Sequence, residues 1–113
     1  MDNCLFCKII EGKIPSAKVY EDDKVYAFRD INPQAPVHVL LVPKKHYANV
    51  CECAREDADL AGSMLKKCAD IAESEGLKNG FRLITNNGPD ACQSVQHMHL
   101  HILGGEQLAD RMG

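Results

Sequence analysis

Three histidines at alternate positions near the C-terminus are the residues best suited to chemistry. His97, His99 and His101 are separated by single apolar residues. Because side chains alternate between the two faces of a strand, this spacing predicts a strand with the imidazoles on one face and an apolar face on the core. Same-face neighbours lie about 6.6 Å apart along a strand, so one zinc ion, which needs nitrogens at about 2 Å, can engage at most two of them.

The other use of such a cluster is catalysis by one imidazole. A neutral imidazole is a good nucleophile near neutral pH, because its ordinary pKa is about 6.5, and neighbouring imidazoles can set its tautomer and charge. Phosphoryl or nucleotidyl transfer would use such a nucleophile, and the middle residue, His99, has the other two at hand. A strand that carries histidine by chance is disfavoured, because three of the five histidines fall within five residues.

A Cys-x-x-Cys pair near the N-terminus is a candidate metal site. Cys4 and Cys7 could bring two thiolates onto one ion through a tight turn, as in zinc knuckles. A redox pair and two buried small apolar residues are the alternatives, and no thioredoxin-like context surrounds the pair. A structural zinc needs two further ligands. The candidates for them are His46 with His97, or Cys51 with Cys53.

The elements that must position these residues indicate an α+β domain with a mainly antiparallel sheet, one long helix and a short N-terminal helix. A hairpin, a largely apolar strand and a helix with an apolar stripe come first, and two strands follow, the second carrying the three histidines. The predicted ranges are a helical turn at 8–12, hairpin strands around 18–21 and 25–29, a strand at 37–43, a helix at 55–75, a strand at 81–86 and the histidine strand.

Length and composition narrow the class of protein. A chain of 113 residues is expected to form a single domain, 1–113, and a net charge of −3 argues against a nucleic-acid partner. The lack of a long apolar run or a leader pattern predicts no membrane partner and a cytoplasmic location. Six cysteines could form a disulfide scaffold, but a core that does not need them favours reduced thiols, some of them bound to metal.

The histidine motif, preceded by Gln-Ser-Val and followed by Gly-Gly, resembles the signature of the histidine-triad (HIT) family, and its flanks resemble the Hint branch. The resemblance implies a HIT-like fold, a single HIT domain and a homodimer in which two sheets join into one. The similarity covers nearly the whole chain and includes residues 8–10, 14–15, 21–23, 27–31, 33–36, 42–46 and Asn86.

The resemblance also implies an activity and its catalytic residues. His99 would attack the α-phosphorus of a purine nucleoside 5′-phosphoramidate, such as adenosine phosphoramidate, and form a covalent nucleotidyl-histidine, which water resolves to AMP. His101 would support charge at the phosphate, His97 would orient the site, and Ser94 would contact the leaving group. Hydrolysis of dinucleoside polyphosphates, or nucleotide binding and protein interaction with incidental turnover, are the alternatives.

Further site residues follow from the same resemblance. The phosphate loop would use Gln93 and Ser94 with Cys92 and Asn86, although ordinary turn chemistry is the alternative for Ser94 and Asn86. Asp30 would accept hydrogen bonds from the ribose hydroxyls. His38 would buffer the triad from behind, and simple packing is the alternative for this residue. The base pocket would contain Leu5, Phe6, Ile9, Phe28 and Ile31. In the bacterial zinc-binding type, the metal ligands correspond to Cys4, Cys7, His46 and His97, with a zinc ion that is structural or that silences the site through His97.

Three departures from the family pattern bear on the substrate. Cys92 occupies a position where glycine is usual, which restricts the backbone of the phosphate loop. Arg29 replaces a histidine that commonly precedes the ribose aspartate. The tail, 106–113, contains no tryptophan, although in Hint relatives the tail shapes the leaving-group site of the partner subunit.

Overall fold

The computed structural model describes residues 3–112, and it has the predicted α+β class with an antiparallel sheet. Its strands follow the order β1-β2-β3-β5-β4, and every pair is antiparallel. None of the helices in this range is long and apolar enough to cross a membrane. The elements are α1 Leu5–Ile10, β1 Lys18–Glu21, β2 Val25–Arg29, β3 Val37–Pro43, α2 Val50–Glu56, α3 Ala58–Ser74, β4 Phe81–Ile84 and β5 Leu100–Gly104.

Strand β3 lies at the centre of the sheet and is buried on both faces, as its apolar sequence predicts. Val39 and Leu41 face the core beneath α3, while Leu40 and Val42 face the opposite side, where α1 packs. The helical stripe predicted for the long helix also lies in the core. Its buried members are Leu60, Met64, Cys68, Ile71 and Ala72.

The long helix differs from the prediction at its start. The expected helix, 55–75, is divided at Asp57 into α2 and α3. Asp57 has φ −150° and ψ 65°, and its carboxylate accepts a hydrogen bond from the backbone N–H of Leu60. An aspartate that caps a new helix leaves the helical conformation itself, and this ends α2 after Glu56.

The short helix α1 begins at Leu5, three residues before the predicted turn. Cys4 precedes it as the N-cap, and its Sγ accepts a hydrogen bond from the backbone N–H of Cys7 at 3.3 Å. A thiol is an unusual N-cap, so this start of the helix was not predicted from the sequence. The predicted strand at 81–86 is shorter than expected and ends at Ile84.

The histidine strand is shorter than predicted, because β5 begins only at Leu100 and His97 lies in a bend before it. The predicted alternation of faces nevertheless holds. Met98, Leu100 and Ile102 belong to the core beneath α3, whereas the imidazoles lie on the face that carries Phe6. A hydrogen bond from the backbone N–H of Met98 to the carbonyl of Tyr47 holds the extended segment in place.

Candidate active site and metal centre

His99 is held as a neutral imidazole with one nitrogen available. Its Nδ1 lies 2.7 Å from the backbone carbonyl oxygen of His97, and a carbonyl can only accept, so Nδ1 carries the proton. Burial lowers the pKa of His99 below its ordinary value, despite that hydrogen bond and the charge of Asp30. The rings of Phe6 and His99 are nearly perpendicular, with centroids 5.0 Å apart. His99 therefore keeps an unprotonated Nε2, which is the form a nucleophile requires.

A chain of hydrogen bonds fixes His101 in the tautomer opposite to that of His99, with the proton on Nε2. The backbone N–H of Gln34 donates to Nδ1 of His38 at 3.0 Å, so the neutral ring of His38 carries its proton on Nε2. That Nε2 lies 2.9 Å from Nδ1 of His101 and donates to it. Burial, with the neighbouring His99 and His38, lowers the pKa of His101 to about 4. His101 is thus neutral at pH 7, with its N–H on Nε2, and its ring centroid is 5.1 Å from that of His99.

Asp30 lies next to this chain of hydrogen bonds. One carboxylate oxygen accepts from the backbone N–H of Asn32 at 2.8 Å, and the other lies 3.5 Å from Nε2 of His38. Asp30, His38 and His101 are close enough to hold a cation. However, the N–H of Gln34 already uses the lone pair on Nδ1 of His38, so Nε2 is protonated and cannot ligate a metal. The cluster is better described as a hydrogen-bond chain than as a metal site.

A second cluster contains the four residues that the family resemblance implies as metal ligands. The Sγ atom of Cys4 lies 3.2 Å from Nδ1 of His97, and the Sγ atom of Cys7 lies 3.4 Å from Nδ1 of His46. All four ligand atoms lie within 4.8 Å of one another. Tetrahedral zinc with ordinary bond lengths separates sulfur and nitrogen ligands by about 3.5 Å. The four side chains therefore fit a zinc ion.

The protonation of His97 favours this metal centre. Its Nε2 lies 2.8 Å from the carbonyl oxygen of Pro43 and must donate to it, which leaves Nδ1 unprotonated towards the thiols. Burial lowers the pKa of His97 to about 4, so the ring is neutral. The alternative ligands do not join the cluster. Cys53 belongs to the apolar core and Cys51 is exposed on α2.

Gln93 was expected to contact the phosphate, but its side chain makes its hydrogen bonds within the protein. Its side chain is buried, and its Nε2 donates to the carbonyl oxygens of Ala48 at 2.7 Å and Val95 at 3.0 Å. Its Oε1 accepts from the backbone N–H of Gly88 at 2.9 Å. An amide nitrogen has two N–H donors, and both are used. The Gln93 side chain thus holds the phosphate loop together and has no free donor for a phosphate.

The other residues predicted for the phosphate loop are more exposed than Gln93. Ser94 is exposed and, with His46, lines a cavity of about 800 Å³. Asn86 is half-buried and lines a separate cavity that it shares with His101. Cys92 has φ 59° and ψ 37°, a left-handed conformation that favours glycine. The loop therefore keeps the backbone shape of a glycine despite the substitution.

The residues predicted for the base pocket divide into two groups. Phe6, Ile9 and Phe28 are buried in one cluster, and the rings of Phe6 and Phe28 meet edge to face at 5.6 Å. Leu5 and Ile31 are exposed, Ile31 by 92% of its surface. The second pair therefore has apolar surface available to a ligand, whereas the first group forms the wall behind His99.

The side chain of Arg29 is engaged in an ion pair. Its guanidinium makes a two-point ion pair with Glu75, with distances of 2.7 and 3.2 Å between nitrogen and oxygen atoms. This pair ties the end of β2 to the residue that follows α3. Arg29 is thus a structural residue in this chain.

Sequence reasoning gave too small a role to His38 and missed two supporting residues. His38 was expected only behind the triad, and the register of β3 against β5 is what brings it to His101. Thr85 donates from its hydroxyl to the carbonyl oxygen of His99 at 2.8 Å, and the carbonyl of Pro43 orients His97. Thr85 and Pro43 are distant in sequence from the histidines that they contact, so no local pattern predicted these contacts.

Comparisons with known proteins show the family of this chain. The family model of the HIT domain matches residues 11–108, and the chain belongs to the HIT family. A 14 kDa zinc-binding protein of Brassica juncea is 48% identical over 106 residues, covering 92% of this chain and 94% of the relative. Adenylylsulfatase HINT1 of Arabidopsis thaliana is 47% identical over 106 residues, covering 92% of this chain and 72% of the relative.

A solved structure gives the same result for the fold. A HIT family hydrolase from Clostridium thermocellum superimposes with a TM-score of 0.93 at 46% identity, covering 99% of this chain and 98% of that one. The predicted HIT fold is thereby confirmed. Cys4 and Cys7 precede the segment that the family model matches, so two of the four residues of the candidate metal centre lie outside that segment.

Proposed function

We propose that this protein hydrolyses purine nucleoside 5′-phosphoramidates, such as adenosine phosphoramidate, through a covalent nucleotidyl-histidine on His99. The observation that carries the proposal is the tautomer of His99, whose proton is held on Nδ1 by the carbonyl of His97. A lone pair on Nε2 of a neutral, buried imidazole is the reactive form. The similarity to HIT family hydrolases supports a hydrolase.

In the first step, Nε2 of His99 attacks the α-phosphorus and a phosphorus–nitrogen bond to the histidine forms. The bond to the leaving nitrogen breaks, its electron pair goes to that nitrogen, and the nitrogen takes up a proton from solvent through the exposed hydroxyl of Ser94. The N–H on Nε2 of His101 donates to the phosphoryl oxygens and supports their charge. Water then attacks phosphorus, which releases AMP and restores His99.

The remaining residues bind the substrate. Asp30 keeps carboxylate lone pairs for the ribose hydroxyls, because one oxygen makes only the contact to Asn32. Ile31 covers the purine with its exposed side chain, against the wall that contains Phe6. A zinc ion on Cys4, Cys7, His46 and His97 would supply a structural crosslink that fixes the segment before His99.

We also propose that the protein is a homodimer with a joined sheet. Strand β4 is an edge of the sheet, and Phe81 and Leu83 expose 42% and 37% of their surfaces there. An exposed apolar edge favours pairing with a second chain. Light scattering tests this part: twice the chain mass of 12.5 kDa is expected, and a monomeric mass would contradict it.

The activity is tested by comparing substrates on the wild-type protein. We expect release of AMP from adenosine phosphoramidate with a higher kcat/KM than for a dinucleoside tetraphosphate, and a large loss in Ser94→Ala with the phosphoramidate. Ser63→Ala, an exposed serine on α3, is the matched control and keeps full activity. A preference for the tetraphosphate would favour the polyphosphate hydrolase, and binding of AMP without turnover would favour the nucleotide-binding alternative.

A further inference from the structure

The two cysteines of the candidate metal centre differ in their access to solvent. Cys4 lines the cavity of about 800 Å³ that Ser94 and His46 also line, whereas Cys7 does not belong to its lining. Both cysteine side chains are half-buried. A small reagent that enters the cavity beside Ser94 therefore reaches Cys4 before Cys7.

The sulfur atoms of this pair lie close enough to be joined. All ligand atoms of the cluster lie within 4.8 Å of one another, and the Sγ atoms of Cys4 and Cys7 lie 3.2 and 3.5 Å from the same atom, Nδ1 of His97. A disulfide needs sulfur atoms about 2 Å apart, and residues three positions apart at the first turn of a helix are neighbours. Rotation of the two side chains can therefore close the remaining distance.

Cys4 has the surroundings of the sulfur that reacts first. The backbone N–H of Cys7 donates to its Sγ at 3.3 Å, and a hydrogen bond to sulfur stabilises negative charge there. The thiolate is the form that oxidants attack, and a metal ion in the cluster would keep both sulfur atoms deprotonated. Cys7 is then in position to attack the oxidised sulfur of Cys4.

Two contacts link this pair to His99. Phe6 lies between the two cysteines in α1, and its ring centroid is 6.0 Å from that of His97 and 5.0 Å from that of His99. The imidazole of His97 faces the thiols, and its backbone carbonyl accepts the hydrogen bond that fixes the tautomer of His99. A change in the position of the two sulfur atoms is therefore expected to alter the reaction site.

We propose that Cys4 and Cys7 form a redox switch, in which a peroxide converts the pair into a disulfide and thereby lowers nucleotide binding and turnover at His99. Sulfur atoms joined in a disulfide offer no thiolate, so of four ligands only the two histidines would remain for a zinc ion. The inference goes beyond the proposed function, because the disulfide and the loss of metal do not depend on a substrate. Only the expected fall in turnover rests on that function.

The oxidation consumes two thiolates and one molecule of hydrogen peroxide. Sγ of Cys4 attacks one peroxide oxygen, the O–O bond breaks, and the departing hydroxide takes up a proton to become water. Cys4 is then a sulfenic acid. Sγ of Cys7 attacks the sulfur of Cys4, the S–O bond breaks, and a second hydroxide leaves and becomes water. The two sulfur atoms supply the electrons that reduce the peroxide, and a thiol reductant reverses the change.

The test adds a small molar excess of hydrogen peroxide to the zinc-loaded wild-type protein. A chromogenic chelator follows zinc release, and free thiols are alkylated before peptide mass mapping without reductant. We expect a peptide in which Cys4 and Cys7 are joined, about one zinc ion released per disulfide, and recovery with a thiol reductant and zinc. Oxidation that leaves both cysteines free, or that ends in sulfinic acid on either, would overturn the switch. If the protein binds no zinc, the mapping alone decides.

Cys51→Ser is the matched control, because it removes an exposed thiol outside the cluster. It should form the same disulfide and release zinc at the wild-type rate, and loss of zinc release in this variant would contradict the proposal. In Cys7→Ser, the sulfur of Cys4 has no partner thiol. A dimedone adduct on Cys4 is therefore expected in place of the disulfide, and its absence would show that Cys4 is not the residue that reacts first.

The effect on the reaction site is measured on the reduced, the oxidised and the re-reduced protein. Calorimetric titration gives the affinity for AMP, and steady-state kinetics gives kcat/KM for adenosine phosphoramidate. We expect oxidation to weaken AMP binding and to lower kcat/KM about tenfold, because a small displacement of His99 is costly, and reduction with zinc to restore both. Unchanged values of both in the disulfide form would overturn the switch. If the reduced protein does not hydrolyse the phosphoramidate, the proposed function fails and AMP binding alone decides the switch.

Discussion

The backbone carbonyl of His97 accepts a hydrogen bond from Nδ1 of His99 at 2.7 Å. The same His97 turns its Nδ1 towards the thiols of Cys4 and Cys7, at 3.2 and 3.5 Å. One residue therefore belongs to the candidate metal centre through its side chain and fixes the tautomer of His99 through its backbone carbonyl. A change in the cluster of Cys4, Cys7, His46 and His97 is therefore expected to alter the position of His99 through His97.

Removing a metal ligand should lower both metal content and stability. In Cys7→Ser we expect zinc content to fall from about one ion per chain to a small fraction, with a lower Tm, because a structural zinc site contributes directly to folding. Metal analysis and thermal unfolding measure the two effects. Cys51→Ser is the control, since Cys51 is exposed on α2 and lies outside the cluster. Full zinc content in Cys7→Ser would exclude this metal centre.

Replacing Gln93 should test its role within the loop. Gln93→Glu keeps the shape but loses both donors to the carbonyls of Ala48 and Val95. We expect the free energy of unfolding to fall by about 1–3 kcal/mol, since buried acceptors lose their partners, and kcat to fall as the loop loosens. Denaturant unfolding and steady-state kinetics measure this. Gln107→Glu, an exposed change of the same kind, should have little effect. Wild-type stability in Gln93→Glu would argue against the loop role.

The left-handed backbone of Cys92 predicts a stabilising substitution. With φ at 59°, a side chain costs roughly 1–2 kcal/mol that glycine avoids, partly offset by the greater freedom of glycine in the unfolded chain. We expect Cys92→Gly to raise the free energy of unfolding by about 0.5–1 kcal/mol in urea titrations. Ala91→Gly, at the neighbouring position with a helical backbone, should lower it instead. A loss of stability in Cys92→Gly would mean that its side chain makes favourable contacts.

The half-buried His101 predicts how the free energy of unfolding depends on pH. Its pKa is about 4 in the folded protein and about 6.5 in the unfolded chain, so between these values the unfolded chain binds more protons. The free energy of unfolding should therefore fall as the pH drops from about 6.5 towards 4. In His101→Gln this contribution is absent, so the fall between pH 7 and pH 5 should be smaller than in the wild type. Equal falls in both proteins would indicate that His101 titrates normally.

The sequence predicted those features that depend on local pattern. The hairpin follows from β-forming residues around a turn, and the buried strand β3 follows from a continuous apolar run. The apolar stripe of α3 and the shared face of the imidazoles follow from periods of 3.6 and two residues. Family resemblance implied the four metal ligands, and the described residues bring Cys4, Cys7, His46 and His97 together. Without the resemblance, the residue types left two candidate pairs for the remaining ligands, His46 with His97 or Cys51 with Cys53.

The features that the sequence did not predict depend on contacts between distant residues. The link between His38 and His101 depends on the register of two strands more than 60 positions apart in the chain. The amide of Gln93 reaches Ala48 only because the loop folds back on the segment before α2. The break at Asp57 depends on a capping side chain within a pattern that otherwise continues.

The most direct test of the account is intact-protein mass spectrometry after a rapid quench with adenosine phosphoramidate. We predict an added adenylyl group that maps to His99 and that is absent in His99→Ala, together with release of AMP by the wild type alone. Full phosphoramidase activity in His99→Ala, or an adduct on another residue, would contradict the assignment of His99 as the nucleophile.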